Sequence, residues 1–287
     1  MGILGLTIQQ TSGMPIISKT WTDKLASFDK IDPILTAGFM SAITNFADSF
    51  EQNIDFIQLS PKVDSNSNGI SAVLNYFSEV IMICFTEPYL FLDKVNLKLR
   101  WIHENLIDNK MEALRKGDVF NLTEEEEIYI EDVLFDKVSR LLIEEKKEDI
   151  IAALLDIEKY FYQEDIQGFS INSFDNSIIF THNINQQDLQ DLLCNMGKGG
   201  RVKDWEVQYK PVWIEKNPIL ISYTNSAVKI PVTKIVSRKS IEICPQRDQL
   251  YSAEVPLYYY IITDTDCSIG PIMEKLNTTL HPILVGY

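Results

Sequence analysis

The sequence predicts a mixed α/β fold of the α+β kind. Two modules, each a mainly antiparallel sheet with helices packed on it, are joined by a helical segment. Three observations predict it. Strand-like and helix-like stretches follow one another as β-β-α-β-β-β-α at the start of the chain, a charged helical stretch comes next, and a β-β-α pattern then begins again. The predicted domains are therefore 1–108, a helical connector at 109–163, and a second module with extra strands at 164–287.

The first module opens with a predicted β-hairpin and a helix. Ile3–Gln9 is rich in strand-forming residues, Thr11-Ser12-Gly13 is a turn cluster, and Met14–Trp21 is the returning strand. The helix begins at Asp32-Pro33, because Asp is a preferred N-cap and Pro suits the first helical position.

This helix has two kinds of face. Apolar residues at three- or four-residue spacing predict a buried face: Leu35, Phe39, Ile43, Phe46 and Phe50. Small residues form a flank: Ala37, Gly38, Ser41 and Thr44. A flank of this kind lets another backbone approach closely. It fits either a contact surface for a partner or a helix that lies flat on its own sheet.

Three strands and a second helix complete the first module. The predicted strands are Ile54–Leu59, Ile70–Phe77 and Val80–Phe85, and the last is continuously apolar, as expected of a strand covered on both faces. The helix at Tyr89–Ile107 has an amphipathic pattern that predicts a buried stripe.

The connector is predicted to be helical. Thr123 and Glu126 form a capping box ahead of one helix whose apolar face extends to Leu142, and another helix is predicted at Lys147–Phe161. The acidic run Glu124–Glu127 falls in a first helical turn, where negative charge suits the helix dipole.

The second module repeats the opening pattern. Two strands, Gly168–Phe174 and Ser177–Asn183, flank the turn Asp175-Asn176, and the helix Gln186–Met196 ends at Gly197. Five strand-like segments follow ahead of a final helix at Ser268–Leu280: Trp205–Ile214, Ile219–Tyr223, Val228–Val236, Ile241–Cys244 and Val255–Ile262.

The composition narrows the class of partner and the compartment. The net charge is −15, and no cluster of Lys and Arg is present to neutralise phosphates, so we expect no nucleic-acid partner. No apolar run is long enough for a transmembrane span. The four cysteines are far apart and form no C-x-x-C pair, which favours a reducing, cytoplasmic location.

No motif predicts a catalytic, cofactor or metal site, and we expect no cofactor and no enzymatic activity. The three histidines lack metal-ligand spacing. Asp64–Gly69 resembles the start of a calcium loop, but Asn75 stands where a bidentate carboxylate is needed, so the segment is interpreted as a turn. Gly197–Arg201 follows a helix and is interpreted as a C-cap and loop.

The first module resembles the longin/roadblock superfamily. The resemblance lies in the opening hairpin around Gly13-Met14-Pro15, the helix led by Asp32-Pro33, the three-strand meander and the closing amphipathic helix. It implies a non-catalytic interaction scaffold similar to multi-longin regulators of small GTPases. Such a protein binds or regulates a small GTPase, or pairs with another longin/roadblock protein as a homo- or heterodimer, in a trafficking-type complex. Any membrane association is then peripheral and made through partners.

Two contact surfaces follow as hypotheses. An edge strand can pair with a partner's strand, which points to Met14, Ile16 and Ser18. A small-residue helix face can meet its twin, which points to the flank Ala37, Gly38, Ser41 and Thr44. The alternative function is a small-molecule sensor or an enzyme with a pocket between the two modules.

Overall fold

A computed structural model describes residues 2–22, 33–60, 68–115, 121–197, 202–214, 217–231 and 254–285. The chain divides into two compact units, Met1–Leu134 and Phe135–Tyr287. Each unit contains a five-stranded antiparallel sheet with helices, which confirms the predicted α/β class with two sheet-plus-helix modules. The predicted strand Ile241–Cys244, most of the turn Asp64–Gly69 and the loop residues 198–201 lie outside the described residues.

Unit 1 follows the predicted order of elements. They are β1 (Ile3–Gln10), β2 (Pro15–Thr20), α1 (Pro33–Asp48), β3 (Phe56–Leu59), β4 (Ile70–Tyr76), β5 (Val80–Thr86), α2 (Leu92–Ile102), α3 (Met111–Arg115) and α4 (Glu124–Leu134). The strands are ordered β2-β1-β5-β4-β3, and β5 is buried along its whole length, as its apolar run predicts.

The second helix of unit 1 is shorter than predicted. Regular α-helix ends at Ile102 and continues as a π-helical turn at His103–Ile107 and a 3₁₀ turn at Asp108–Lys110. The His103 ring stacks on Phe77, with ring centroids 3.6 Å apart and an interplanar angle of 5°. This stack joins the π-helical turn to the connection between β4 and β5.

Unit 2 has the same topology as unit 1. Its elements are α5 (Lys137–Glu145), α6 (Lys147–Tyr160), β6 (Ile166–Asn172), β7 (Ile178–His182), α7 (Gln186–Met196), β8 (Val207–Ile214), β9 (Asn217–Pro231), β10 (Glu254–Asp264) and α8 (Ile269–Val285). The strand order β7-β6-β10-β9-β8 matches that of unit 1 when the strands are numbered along each unit. Helix α7 therefore corresponds to α1.

Two of the strands predicted for the second module are a single strand in the structure. Ile219–Tyr223 and the described part of Val228–Val236 belong to one continuous strand, β9. A local irregularity lies between the two predicted strands. Ala227 has a φ of 56°, and the pairing register with β10 shifts between Pro256 and Tyr258. The strand continues through this irregularity.

The single helix predicted after Thr123 is two helices in the structure, α4 and α5. The break is at Asp136, which has a left-handed φ of 49°. Its carboxylate accepts a hydrogen bond from the Ser139 amide at 3.5 Å, capping α5, and another from the Ser173 hydroxyl in the turn between β6 and β7. A buried side chain thus stabilises a backbone conformation that ends one helix and begins the next.

Candidate functional site

Helix α1 packs on the sheet of unit 1 through its small residues. Ala37 is fully buried, and Ser41 and Thr44 are each only 7% exposed. The side-chain Nε2 of Gln9 on β1 donates a hydrogen bond to the Ala37 carbonyl oxygen at 3.4 Å. Gly13 has a φ of +88°, and a Cβ built on it would lie 3.1 Å from the Cβ of Ser41. The helix therefore lies flat on its own sheet, which is one of the two interpretations of the small-residue flank.

The aromatic residues of α1 and its C-terminal turn lie on the opposite side. Phe39, Phe46 and Phe50 are 64%, 65% and 62% exposed, so the prediction that they form a buried face is wrong. The physical reason is steric: large rings beneath the helix would hold its backbone away from the sheet, whereas small residues allow contact. These three residues are called the aromatic stripe. Phe46 and Phe50 meet edge to face, with centroids 5.1 Å apart.

The other predicted contact residues are divided between surface and interior. Gly38 is exposed on α1, and a Cβ built on it would meet nothing within 4 Å. Met14 is exposed and directly follows Gly13, which lies close to Ser41 of α1. On β2, Ser18 is exposed and Ile16 is half-buried. Of the predicted set, the surface therefore presents mainly Met14, Ser18 and Gly38.

The edge strand β2 is partly engaged by its own unit. Lys19 Nζ forms ion pairs with Glu127 Oε2 at 3.0 Å and Glu131 Oε1 at 2.8 Å, both on α4. The Trp21 indole nitrogen donates to Glu131 Oε1 at 3.0 Å. Hydrogen bonding to Glu131, and then to Glu127, raises the pKa of Lys19 against the opposing effect of burial. These contacts tie the C-terminal end of β2 to α4.

Unit 2 contains a pocket of about 680 Å³ beside α7. Its floor is apolar and buried, from Leu192, Ile219 and Ile262, while Trp213 lies at its side with 65% exposure. The remaining lining residues are mostly amides and carboxylates: Gln167, Asn183, Ile184, Asn185, Asp188, Asp191 and Asn195. We call this the unit 2 pocket.

The loop that forms one wall of the unit 2 pocket is held in place by local contacts. Ile184 sits directly on Gly168 of β6, where a built Cβ would come within 2.8 Å of the Ile184 Cβ. Glu158 of α6 accepts a hydrogen bond from the Asn183 amide at 2.6 Å and lies 3.4 Å from His182 Nε2. Asn183 itself has a left-handed φ of 58°. The wall is therefore preformed by the fold of unit 2.

No family model matches this chain, and no curated protein is significantly similar to it. None of the helices in the described ranges has both the length and the apolarity to span a membrane. Over the same part of the chain, no group of three or more His, Cys, Asp or Glu side chains could hold a metal ion.

Sequence analysis predicted neither the aromatic stripe nor the unit 2 pocket as a functional site. The three- or four-residue spacing of the apolar residues did show that the stripe lies on one face of the helix. Periodicity does not say whether that face is buried or exposed. For the pocket only the lining residues between Asn183 and Asn195 come from one stretch of sequence, and the other walls come from β6, β8, β9 and β10. Those segments meet only in the folded sheet.

Proposed function

We propose that this chain is a non-catalytic interaction protein of the longin/roadblock type. It binds or regulates a small GTPase, or pairs with another longin/roadblock protein, in a trafficking-type complex in the cytoplasm. The supporting observation is the aromatic stripe, three large apolar rings on one exposed helix face. The repetition of β-β-α-β-β-β-α in both units supports the family part of the proposal, and the reduced thiols of Cys84, Cys194 and Cys267 agree with a cytoplasmic location.

The size of the stripe suits a contact with another macromolecule. Each ring exposes nearly two-thirds of its surface, so at ~200 Å² per aromatic side chain the three present roughly 400 Å². Phe39 and Phe46 lie ~10 Å apart along the axis of α1 at the helical rise, and Phe50 continues the stripe into the C-terminal turn. Patches of this size on isolated proteins are often functional, and Phe is enriched in interface cores. Transfer of this area out of water is favourable by up to about 10 kcal/mol before the costs of association.

Comparison with unit 2 indicates that the fold does not require the stripe. Helix α7 occupies the same topological position as α1, but its exposed residues are polar: Gln186, Gln187, Asp188 and Asn195. A helix in this position can therefore have a solvated outer face. The aromatic outer face of α1 needs a separate explanation, and a partner that covers it supplies one.

Pairing with another longin/roadblock protein is the partner class that the stripe favours. Stable homodimer and permanent heterodimer interfaces are more apolar than transient ones, which resemble ordinary protein surface. A contact that forms and dissociates with a nucleotide cycle would be expected to be more polar. The GTPase contact, in this proposal, lies elsewhere on the resulting complex or follows pairing.

The test compares the wild-type chain with the triple variant Phe39→Ser, Phe46→Ser, Phe50→Ser. The matched control is Tyr162→Ser, Tyr209→Ser, which removes two exposed aromatic residues of unit 2. Light scattering measures self-association, and calorimetry measures binding to longin/roadblock proteins and to small GTPases in both nucleotide states. We expect the triple variant to lose pairing while the control retains it.

Three outcomes would overturn the proposal. One is a folded wild-type chain that remains monomeric and binds no longin/roadblock protein or GTPase. Another is pairing that the triple variant leaves unchanged. The third is stripe-dependent binding to neutral lipid vesicles with no protein binding, since the stripe would then be a membrane contact.

A further inference from the structure

The chain that follows the aromatic stripe is acidic. Asp48 is the last residue of α1, Glu51 lies in the connection to β3, and Asp55 ends that connection. These three are the only charged residues between positions 33 and 60, and all are exposed. Within the described residues, none of their carboxylates forms an ion pair or a hydrogen bond. We call them the acidic segment, and its three charges are uncompensated there.

The first of these charges lies where a helix favours a cation. The carboxyl end of a helix carries a partial negative charge, so Lys and Arg stabilise it and Asp does not. Helix α1 ends at Asp48 and has no basic residue in its last turn. The Ala47 carbonyl already accepts hydrogen bonds from the Phe50 and Gln52 amides at 2.9 and 3.2 Å. A cation at this end would therefore be held by the carboxylates and the helix dipole.

The equivalent helix of unit 2 ends in the usual way. Helix α7 is followed by Gly197 with a φ of 75°, and Lys210 of β8 donates to the Met196 carbonyl. After α1, the left-handed position is taken by Glu51, with a φ of 56°, although a side chain is disfavoured in this conformation. The same topology thus accommodates a glycine and a lysine at this point. The end of α1 has neither, so stability alone does not account for it.

A contact through the stripe must extend beyond it. The three rings expose roughly 400 Å², about half of the ~800 Å² that each partner buries in a stable interface. The acidic segment is continuous with the stripe, and Phe56 and Leu59 on β3, both exposed, follow it along the chain. A partner that covers the stripe therefore also meets three carboxylates. Carboxylates taken out of water are costly unless a cation pairs with them.

We propose that the partner of the aromatic stripe is a protein with an apolar contact surface flanked by Lys or Arg, and that these cations pair with Asp48, Glu51 and Asp55. This inference rests on the proposed function, because it needs the stripe to be a contact surface. It adds the charge of the partner and its orientation: the basic side of the partner lies at the C-terminal end of α1. Complementary charge fixes register and speeds association.

A second copy of this chain does not match this charge. In the described part of unit 1, Arg100 is the one Lys or Arg without a side-chain contact. The others form ion pairs or donate to a backbone carbonyl: Lys19, Lys94, Lys98, Lys110 and Arg115. With a net charge of −15 on each chain, two copies also repel one another. The partner is therefore a different, more basic protein.

The experiment measures binding of the full chain to three labelled amphipathic helical peptides by fluorescence anisotropy. The peptides share one leucine face and differ only in the flanking residues, which are lysine, glutamine or glutamate. We expect the lysine peptide to bind about tenfold more tightly than the glutamine peptide, as three exposed ion pairs of about 0.5 kcal/mol each provide. The glutamate peptide should bind most weakly, and high salt should reduce the differences.

Two charge-neutralising variants separate a local site from general attraction to an acidic protein. Asp48→Asn, Glu51→Gln, Asp55→Asn should bring the affinity for the lysine peptide within about twofold of that for the glutamine peptide. The matched control removes three exposed carboxylates of unit 2 and should keep the tenfold preference: Glu148→Gln, Asp149→Asn, Glu274→Gln. Phe39→Ser, Phe46→Ser, Phe50→Ser should abolish binding of both peptides, since the stripe supplies the apolar contact.

A second measurement needs no ligand. Asp48→Lys places a cation at the end of α1, so hydrogen-exchange protection of β1 and β5 should rise about two- to fivefold. The same substitution should weaken the lysine peptide about fivefold, because it removes one attraction and adds a repulsion. Opposite effects on stability and binding identify a residue kept for a partner. A loss of protection in Asp48→Lys would assign Asp48 a structural role and overturn the inference.

The remaining outcomes distinguish this inference from the proposed function. If the lysine and glutamine peptides bind equally through the stripe, or if the neutralised acidic segment keeps the preference, the inference is wrong and the stripe remains a contact surface. Stripe-dependent self-association of the wild-type chain would likewise support the proposed function and overturn the inference. Stripe-dependent binding to phosphatidylserine vesicles would contradict both, as would the absence of stripe-dependent binding to every peptide and every protein tested.

Discussion

Replacing Phe46 and Met40 by alanine, one at a time, tests which side of α1 is buried. Met40 is 5% exposed and belongs to the core cluster with Leu74 and Ile83, whereas Phe46 is 65% exposed. If the small-residue face lies on the sheet, Met40→Ala creates a cavity and Phe46→Ala does not. If the aromatic face were buried, as the sequence predicted, Phe46→Ala would create the cavity and Met40→Ala would not.

The magnitudes separate the two orientations. Met40→Ala should lower the free energy of unfolding by 2–5 kcal/mol, the usual range for a buried methionine. Phe46 buries only about a third of its side chain and makes one edge-to-face contact, with Phe50. Its replacement should therefore cost about 1 kcal/mol or less. With the aromatic face inward, Phe46→Ala would cost about 3–5 kcal/mol instead.

Native-state hydrogen exchange of β1 and β5 peptides reports the stability of unit 1 separately from that of unit 2. Gly38→Ala is a matched control on the same helix: a Cβ there meets nothing within 4 Å, so the better helix former should stabilise unit 1 by up to about 1 kcal/mol. A cost above 2 kcal/mol for Phe46→Ala together with a neutral Met40→Ala would refute the orientation of α1 and remove the support for the proposed function.

Three further predictions concern other parts of the fold. Burial lowers the pKa of His103, and the charge of Asp108 partly offsets this, so the unfolded chain binds a proton at higher pH than the folded chain does. The free energy of unfolding should therefore fall as the pH drops below about 6.5. His103→Phe, which can keep the stack on Phe77, should reduce this pH dependence in urea titrations. Asp136→Ala should cost about 2–4 kcal/mol by removing the cap of α5 and leaving the Ser173 hydroxyl buried without its acceptor, with Asp136→Asn intermediate. Gly168→Ala should lower the free energy of unfolding by about 1–3 kcal/mol, because its Cβ would collide with Ile184 in the wall of the unit 2 pocket; an unchanged urea midpoint would contradict this close contact.

Local signals in the sequence predicted element ends well. The capping box forms as expected, with Glu126 Oε2 accepting from the Thr123 amide at 2.8 Å and Thr123 Oγ1 accepting from the Glu126 amide at 3.3 Å. Helix α7 ends at Met196 before Gly197, which has a positive φ of 75°. These features depend on residues three or four positions apart, so one stretch of chain contains all the information.

Features that depend on distant residues could not be predicted in the same way. The break at Asp136 is stabilised by Ser173, 37 positions later, and no local pattern reveals that hydroxyl. The inward face of α1 is selected by the close approach of Gln9 and Gly13. Hydrophobic periodicity locates a distinct face of a helix, but the partner surface decides which face is buried.

The contrast between α1 and α7 connects these observations to function. Both helices follow the first hairpin of a unit with the same strand order. Each helix therefore needs one face that fits closely against the sheet of its own unit. The exposed residues of the two helices have no such requirement, and they differ in kind: large aromatic rings on α1, and the polar side chains of Gln186, Gln187 and Asn195 on α7. Exposed phenylalanines lower solubility, so the outer face of α1 is not what stability alone would select. The simplest physical account is a partner whose apolar surface covers the aromatic stripe of unit 1.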